Sequence, residues 1–202
     1  MSRKNVEVVR DLYQHWASGH LAFSDPLDAD VMTAYWVGGP LLERVDPALL
    51  LETLRTAFTS QVTGLLAQLP NPHGALAHHS FHVFVVYPWV RFLGRDATTA
   101  LQVMQDCRIR WGTVLSVTDE SAEILSRPLV FQDNVISLGD PQSERVQWIR
   151  DGVSLTGAPR PGDTVSAHWH RLCDTLTDSE AAALQAATQT TLDLVNATRN
   201  QP

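Results

Sequence analysis

Apolar residues recur every three or four positions through the first half of the chain, and closer to every second position through much of the rest. In residues 5–18, Val6, Val9, Leu12, Tyr13 and Trp16 mark one helical face, with Asn5 as cap and Gly19 as stop. Ser24-Asp25-Pro26 is turn chemistry, and a short helix is expected over 31–37, ended by Gly38-Gly39-Pro40. Asp46 caps a helix whose first residue is Pro47. Its stripe of Leu50, Leu51, Leu54, Phe58, Val62 and Leu65 predicts a helix over 47–69. The run Leu69-Pro70-Asn71-Pro72-His73-Gly74 breaks it. In 75–93 the segment Val83-Phe84-Val85-Val86-Tyr87 suits a strand. Its length and helical surroundings favour a buried helix kinked near Pro88. Asp96 caps a further helix over 97–105.

From Cys107 the pattern changes. Ile109, Trp111, Val114 and Val117 open a β-like run, followed by runs at 121–131, 135–138, 146–149 and 164–169. Asp119-Glu120-Ser121, Asp133-Asn134, Gly139-Asp140-Pro141, Asp151-Gly152 and Arg160-Pro161-Gly162-Asp163 punctuate them. Five or six short strands so divided predict a small barrel of the OB or SH3-like kind. Thr177 with Glu180 forms a capping box for a last helix over 177–197, with Leu184, Ala187, Thr191 and Leu194 facing inward. The expected class is α+β: a helical N-terminal domain at 1–105, then a barrel with a C-terminal helix at 106–202.

Composition narrows the function classes. The chain has 202 residues, 44% of them hydrophobic, and a net charge of −7. This is enough for a real core, and it argues against a nucleic-acid surface, which is normally basic. The N-terminal residues lack the apolar core of a signal peptide, and the greasy run 81–93 is interrupted by His82, Pro88 and Arg91. A cytoplasmic protein without a membrane span is expected. Its two cysteines read as free thiols rather than a disulfide framework.

Three groups carry candidate chemistry. Cys107 is a soft ligand or nucleophile if its pKa is lowered; Arg108 and Arg110 would favour the anion and Asp106 would oppose it. His168 and His170 alternate along a strand, so they share a face with Trp169 opposite. With Cys107 and Cys173 they would make a tetrahedral zinc set, though without Cys-x-x-Cys knuckles; the plain alternative is a solvated edge strand. The helical half holds His73, His78, His79 and His82. On a helix His78 and His82, and also His79 and His82, would share a face able to hold a metal or contact a haem. The plain alternative is buried histidines bonded to backbone or carboxylates. No Gly-x-Ser-x-Gly elbow, phosphate loop or Gly-x-Gly-x-x-Gly motif is present.

The barrel segment resembles the HypC/HupF family of [NiFe]-hydrogenase maturation chaperones. Cys107 with Gly112 five residues on, then Thr113-Val114-Leu115-Ser116-Val117, is similar to that family's opening. Gly162-Asp163-Thr164-Val165-Ser166-Ala167-His168 resembles its closing strand, and Leu176-Thr177-Asp178-Ser179-Glu180-Ala181 its acidic helix entry. The family's cysteine is N-terminal, whereas Cys107 is internal, and the helical half has no counterpart there. The resemblance implies a carrier rather than an enzyme. Cys107 and His168 would hold an iron unit bearing cyanide and carbon monoxide. Cys107, Arg108, Arg110 and Trp111 would meet a maturation scaffold or the hydrogenase large-subunit precursor. The competing expectation is a haem- or metal-binding sensor or small redox enzyme centred on His78, His79 and His82.

Overall fold

The structure is a computed structural model that describes residues 28–200. The helix expected over 5–18 and the turn at 24–26 lie outside the described residues. The fold is α+β, with helices, a closed five-stranded barrel and a C-terminal helix. The chain divides into two compact units. One is the described part of Met1–Arg91 with that of Ala183–Pro202; the other is Phe92–Ala182. Among the described residues, no helix is long and apolar enough to cross a membrane.

In the first unit, helix α1 (Ala29–Trp36) starts at Asp28, whose carboxylate accepts from the Asp30 N–H at 2.9 Å. Helix α2 (Pro47–Ala57) starts at Asp46, which accepts from Ala48 N at 2.8 Å. It buries Leu50, Leu51 and Leu54 and stops well short of residue 69. The Thr59 hydroxyl donates to the carbonyls of Arg55 and Thr56, competing with helical continuation. The Arg55 guanidinium donates forward to Leu66 O and Leu69 O, at 3.2 and 2.7 Å. Beyond the stop, Gly64 N and Leu65 N donate to Val86 O and Val85 O. A Cβ at Gly64 would overlap the Tyr87 and Val85 carbonyl oxygens, so only glycine permits this approach. Val62, expected in the stripe, is 72% exposed.

The ambiguous run is helical but short. One α turn, α3 (His79–Phe81), widens into a π turn over His82–Val86, closed by Tyr87 N donating to His82 O at 2.8 Å. Tyr87 is extended, as a residue before proline prefers, and a 3-10 turn follows over Pro88–Phe92. Val83, Phe84, Val85 and Val86 are all buried, which explains why the segment shows no polar face.

The second unit opens with helix α4 (Ala97–Cys107), capped by Asp96 accepting from Thr99 N at 3.1 Å. Strands β1 (Arg110–Val117), β2 (Ser121–Ser126), β5 (Gln142–Gln147), β8 (Thr164–His168) and β9 (Arg171–Thr175) close a barrel in the order β1-β2-β5-β9-β8. All pairings are antiparallel except β5 with β9, at Gln147 and Arg171. Val114, Ala122, Ile124, Val146, Val165, Ala167 and Leu172 fill its core. Gly112 lets β2 close on β1, since a Cβ there would lie 2.6 Å from Leu125 O.

Two hairpins stand outside the barrel sheet, β3 (Leu129–Gln132) with β4 (Val135–Leu138), and β6 (Ile149–Arg150) with β7 (Val153–Ser154). The expected run 121–131 splits at Arg127-Pro128, where proline has no donor for a ladder. β5 starts earlier than expected, at Gln142. β9 was not foreseen: its only residue below 1% exposure is Leu172, so the strand lacks an apolar alternation. Helix α5 (Asp178–Arg199) carries the expected capping box. Glu180 N donates to Thr177 Oγ1 at 3.3 Å, and Thr177 N to Glu180 Oε2 at 2.8 Å.

Candidate thiol–imidazole site

Cys107 is the last residue of α4 and not the head of a barrel strand; Arg108 N closes the helix by donating to Met104 O at 3.0 Å. His168 is the last residue of β8. Sequence-distant as they are, the Cys107 sulfur and a ring nitrogen of His168 lie within 4.8 Å of one another. The His168 ring also hydrogen-bonds to the backbone of Cys107.

The approach is built from backbone and one arginine. After His168 the chain turns through Trp169, whose φ of 53 is rare for so bulky a residue. Trp169 N donates to Asp106 O at 2.7 Å, joining the β8–β9 turn to the end of α4. Arg110, 1% exposed, donates Nη1 to Gln105 O and Asp106 O at 3.2 and 3.3 Å. Its Nη2 donates to Trp169 O, and Nε to both Glu144 oxygens at 3.0 and 3.1 Å. Ser126 Oγ donates to Glu144 Oε1 at 2.5 Å.

Burial dominates the electrostatics. It pushes the Cys107 thiol up to about 11, with Asp106 adding to the effect. The activation expected from Arg108 and Arg110 is therefore not realised, because desolvation of the thiolate outweighs it. Burial pulls His168 down to about 4, helped by the charge of Arg110 and opposed by the bond to the Cys107 backbone. At neutral pH the pair is a neutral imidazole, competent to coordinate, beside a thiol that must shed a proton to do so.

The neighbouring expectations divide. Arg108 is 1% exposed, with Nε donating to Gln105 Oε1 at 3.1 Å and Nη2 to Arg127 O at 2.5 Å, its guanidinium 5.9 Å from the Trp111 ring. Burial, with the charge of Arg110 adding, lowers it to about 9. Arg108 and Arg110 are thus buried struts and not the surface contact expected of them; Trp111 is half-buried and Cys107 partly accessible. His170 sits exposed in the turn after Trp169, so it shares no strand face with His168. Cys173, on β9, donates to Arg171 O at 3.6 Å, and burial raises its thiol.

In the first unit His73 is exposed in the 70–74 turn. His78 precedes α3 and caps it, its Nδ1 accepting from Ser80 N at 3.1 Å while its ring meets the backbone of Val37 and Trp36. His79 and His82 converge on Tyr35, which no motif or spacing in the sequence singles out. Tyr35 Oη is 3.3 Å from His79 Nδ1 and 2.9 Å from His82 Nδ1. The phenol has one proton, so at most one of these nitrogens accepts it and the other must donate; the two rings hold opposite tautomers. Trp36 packs on His79, and Phe58 and Tyr87 flank His82. Burial lowers His82 to about 4, and His82 Nε2 is buried without a hydrogen-bond partner among the described residues.

No curated protein and no solved structure matches the chain. A family match covers residues 12–202, nearly the whole sequence. The chain belongs to the family of unknown function DUF6390.

Proposed function

We propose that this protein is an accessory carrier for [NiFe]-hydrogenase maturation, presenting Cys107 and His168 to an iron unit on its way to a scaffold or large-subunit precursor. The observation that carries the reading is the separation of the Cys107 sulfur and His168 nitrogen, within 4.8 Å. One metal bonded to both, at roughly 2.3 and 2.0 Å, would hold them about 3.6 Å apart, so side-chain adjustment of about 1 Å suffices. A thiolate with a neutral imidazole is a soft-to-borderline donor set that suits low-spin iron with strong-field ligands. The barrel, the order of the resembling segments and the acidic helix entry agree with the same reading. Deleting the thiol in the organism that makes the protein is the functional test. Cys107→Ala should abolish hydrogenase maturation while leaving the protein present; normal maturation would sink the proposal.

A second reading, a metal or haem site among His78, His79 and His82, has one observation in its favour. Tyr35 accepts from Nδ1 of one of the pair His79 and His82, the hydrogen-bond arrangement that leaves that one ring's Nε2 bare for a metal. The rings of Trp36, Phe58 and Tyr87 pack directly against His79 and His82, so a bare ion fits this reading better than a haem. Metal that survives Cys107→Ala but is lost in His82→Ala or His79→Ala would favour it.

A further inference from the structure

We infer that Arg110 is the positioning residue of the thiol–imidazole pair, holding the end of α4 and the β8–β9 turn at the separation that lets Cys107 and His168 act together. The inference rests on the metal-holding reading of that pair and names the device that makes it work. Its carrying observation is where the arginine spends its donors. Gln105 and Asp106, whose carbonyls accept from Nη1, immediately precede Cys107. Trp169, whose carbonyl accepts from Nη2, immediately follows His168. Among the described residues, every backbone acceptor of this guanidinium therefore lies beside one of the two candidate ligands.

The geometry suits the task. The last carbonyls of a helix have no intrahelical partner, and a cation at that end meets both their lone pairs and the helix dipole. The third side of the fork is anchored on the barrel by Glu144, itself fixed by Ser126. An ion pair of this kind, with the arginine buried and the glutamate partly exposed, adds little net stability, since desolvation offsets the Coulombic gain. What it supplies is a fixed geometry. Trp169 keeps its left-handed backbone between two such bonds, one from its own N–H and one to its carbonyl. Lysine cannot replace this fork, because one ammonium has three donors and no plane to span acceptors on three elements.

The test uses the full chain, with Co2+ as the probe and amide exchange as a readout independent of metal. Arg110→Lys should weaken Co2+ binding at least tenfold and lose the thiolate-to-cobalt absorption. Exchange at the Trp169 amide should speed up at least tenfold while the β1–β2 ladder stays protected. Glu144→Gln keeps the arginine but loosens its anchor, and should show both effects to a smaller degree if the lysine variant fails to fold. Wild-type Co2+ affinity with an intact thiolate band in a folded Arg110→Lys protein would overturn the inference, as would an unchanged Trp169 amide. If the wild-type protein itself gives no thiolate band, the metal reading fails, and the Trp169 exchange alone decides whether Arg110 holds the turn.

Discussion

The Cys107 sulfur, at the end of helix α4, stands within 4.8 Å of a His168 ring nitrogen at the end of strand β8. Neither residue is activated in the ordinary sense. The thiol is pushed up to about 11 and the imidazole down to about 4, both chiefly by burial. The arrangement is poor for a resting nucleophile and well matched to a ligand pair that ionises only when metal arrives.

Metal affinity should consequently depend on pH in one direction. Between pH 6 and 9 His168 is already neutral while Cys107 must give up its proton. The apparent affinity for Co2+ should therefore rise about tenfold per pH unit, with one proton released per metal. Calorimetric titrations in two buffers of different ionisation enthalpy measure that proton. A pH-independent affinity would show that the thiolate is not a ligand.

Acid should unfold the first unit through its buried histidines. His78 and His82 are each lowered from 6.5 to about 4, principally by desolvation. As pH falls the unfolded chain takes up protons first, so this stability is complete above about 6.5 and is lost progressively towards 4. The interval corresponds to about 3 kcal/mol per histidine. Urea melts at pH 7 and pH 4.5 should differ by several kcal/mol, and His82→Phe should flatten the dependence. Equal stability at the two pH values would contradict this account.

The β1–β2 approach gives a sharper mechanical test. At Gly112 a methyl group would sit 2.6 Å from the Leu125 carbonyl oxygen and 3.2 Å from Ser126 Cβ, with backbone as the nearest obstacle. Gly112→Ala should destabilise the barrel by about 1–3 kcal/mol, the range of overpacked core substitutions. Thermal melts report it, and a loss under 0.5 kcal/mol would mean that the strands separate there at little cost.

The capping box should behave independently of the site. Thr177 and Glu180 exchange bonds at the start of α5, so Thr177→Ala should cost about 1 kcal/mol. Metal affinity should be unchanged. Coupled loss of both would tie the helix start to the ligand pair.

Local chemistry carried much of the fold into the sequence. Asp46-Pro47 and Thr177-Glu180 mark helix starts through hydrogen bonds that span two or three residues, and these are present as expected. The turns of the two hairpins outside the barrel sheet were readable because Asp133-Asn134 and Asp151-Gly152 are residue types that tolerate the positive φ values they adopt. What escaped was non-local. β9 is held by pairing with β8 rather than by its own pattern, and α2 ends early because distant carbonyls claim Arg55 and Gly64. At the site, Cys107 and His168 were named, but Arg108 and Arg110 looked like activating charges. Only the fold shows where their donors go. Tyr35 gave no signal at all, since its partners lie 44 and 47 residues away.

X-ray absorption on the Co2+-loaded or Fe2+-loaded protein, with Cys107→Ala and His168→Ala beside it, asks most directly whether the two residues share one metal. The wild-type spectrum should contain one sulfur at about 2.3 Å and nitrogen at about 2.0–2.1 Å. The sulfur should vanish in Cys107→Ala, and a nitrogen should be lost in His168→Ala. A wild-type spectrum of oxygen and nitrogen alone, unchanged in both variants, would contradict the account.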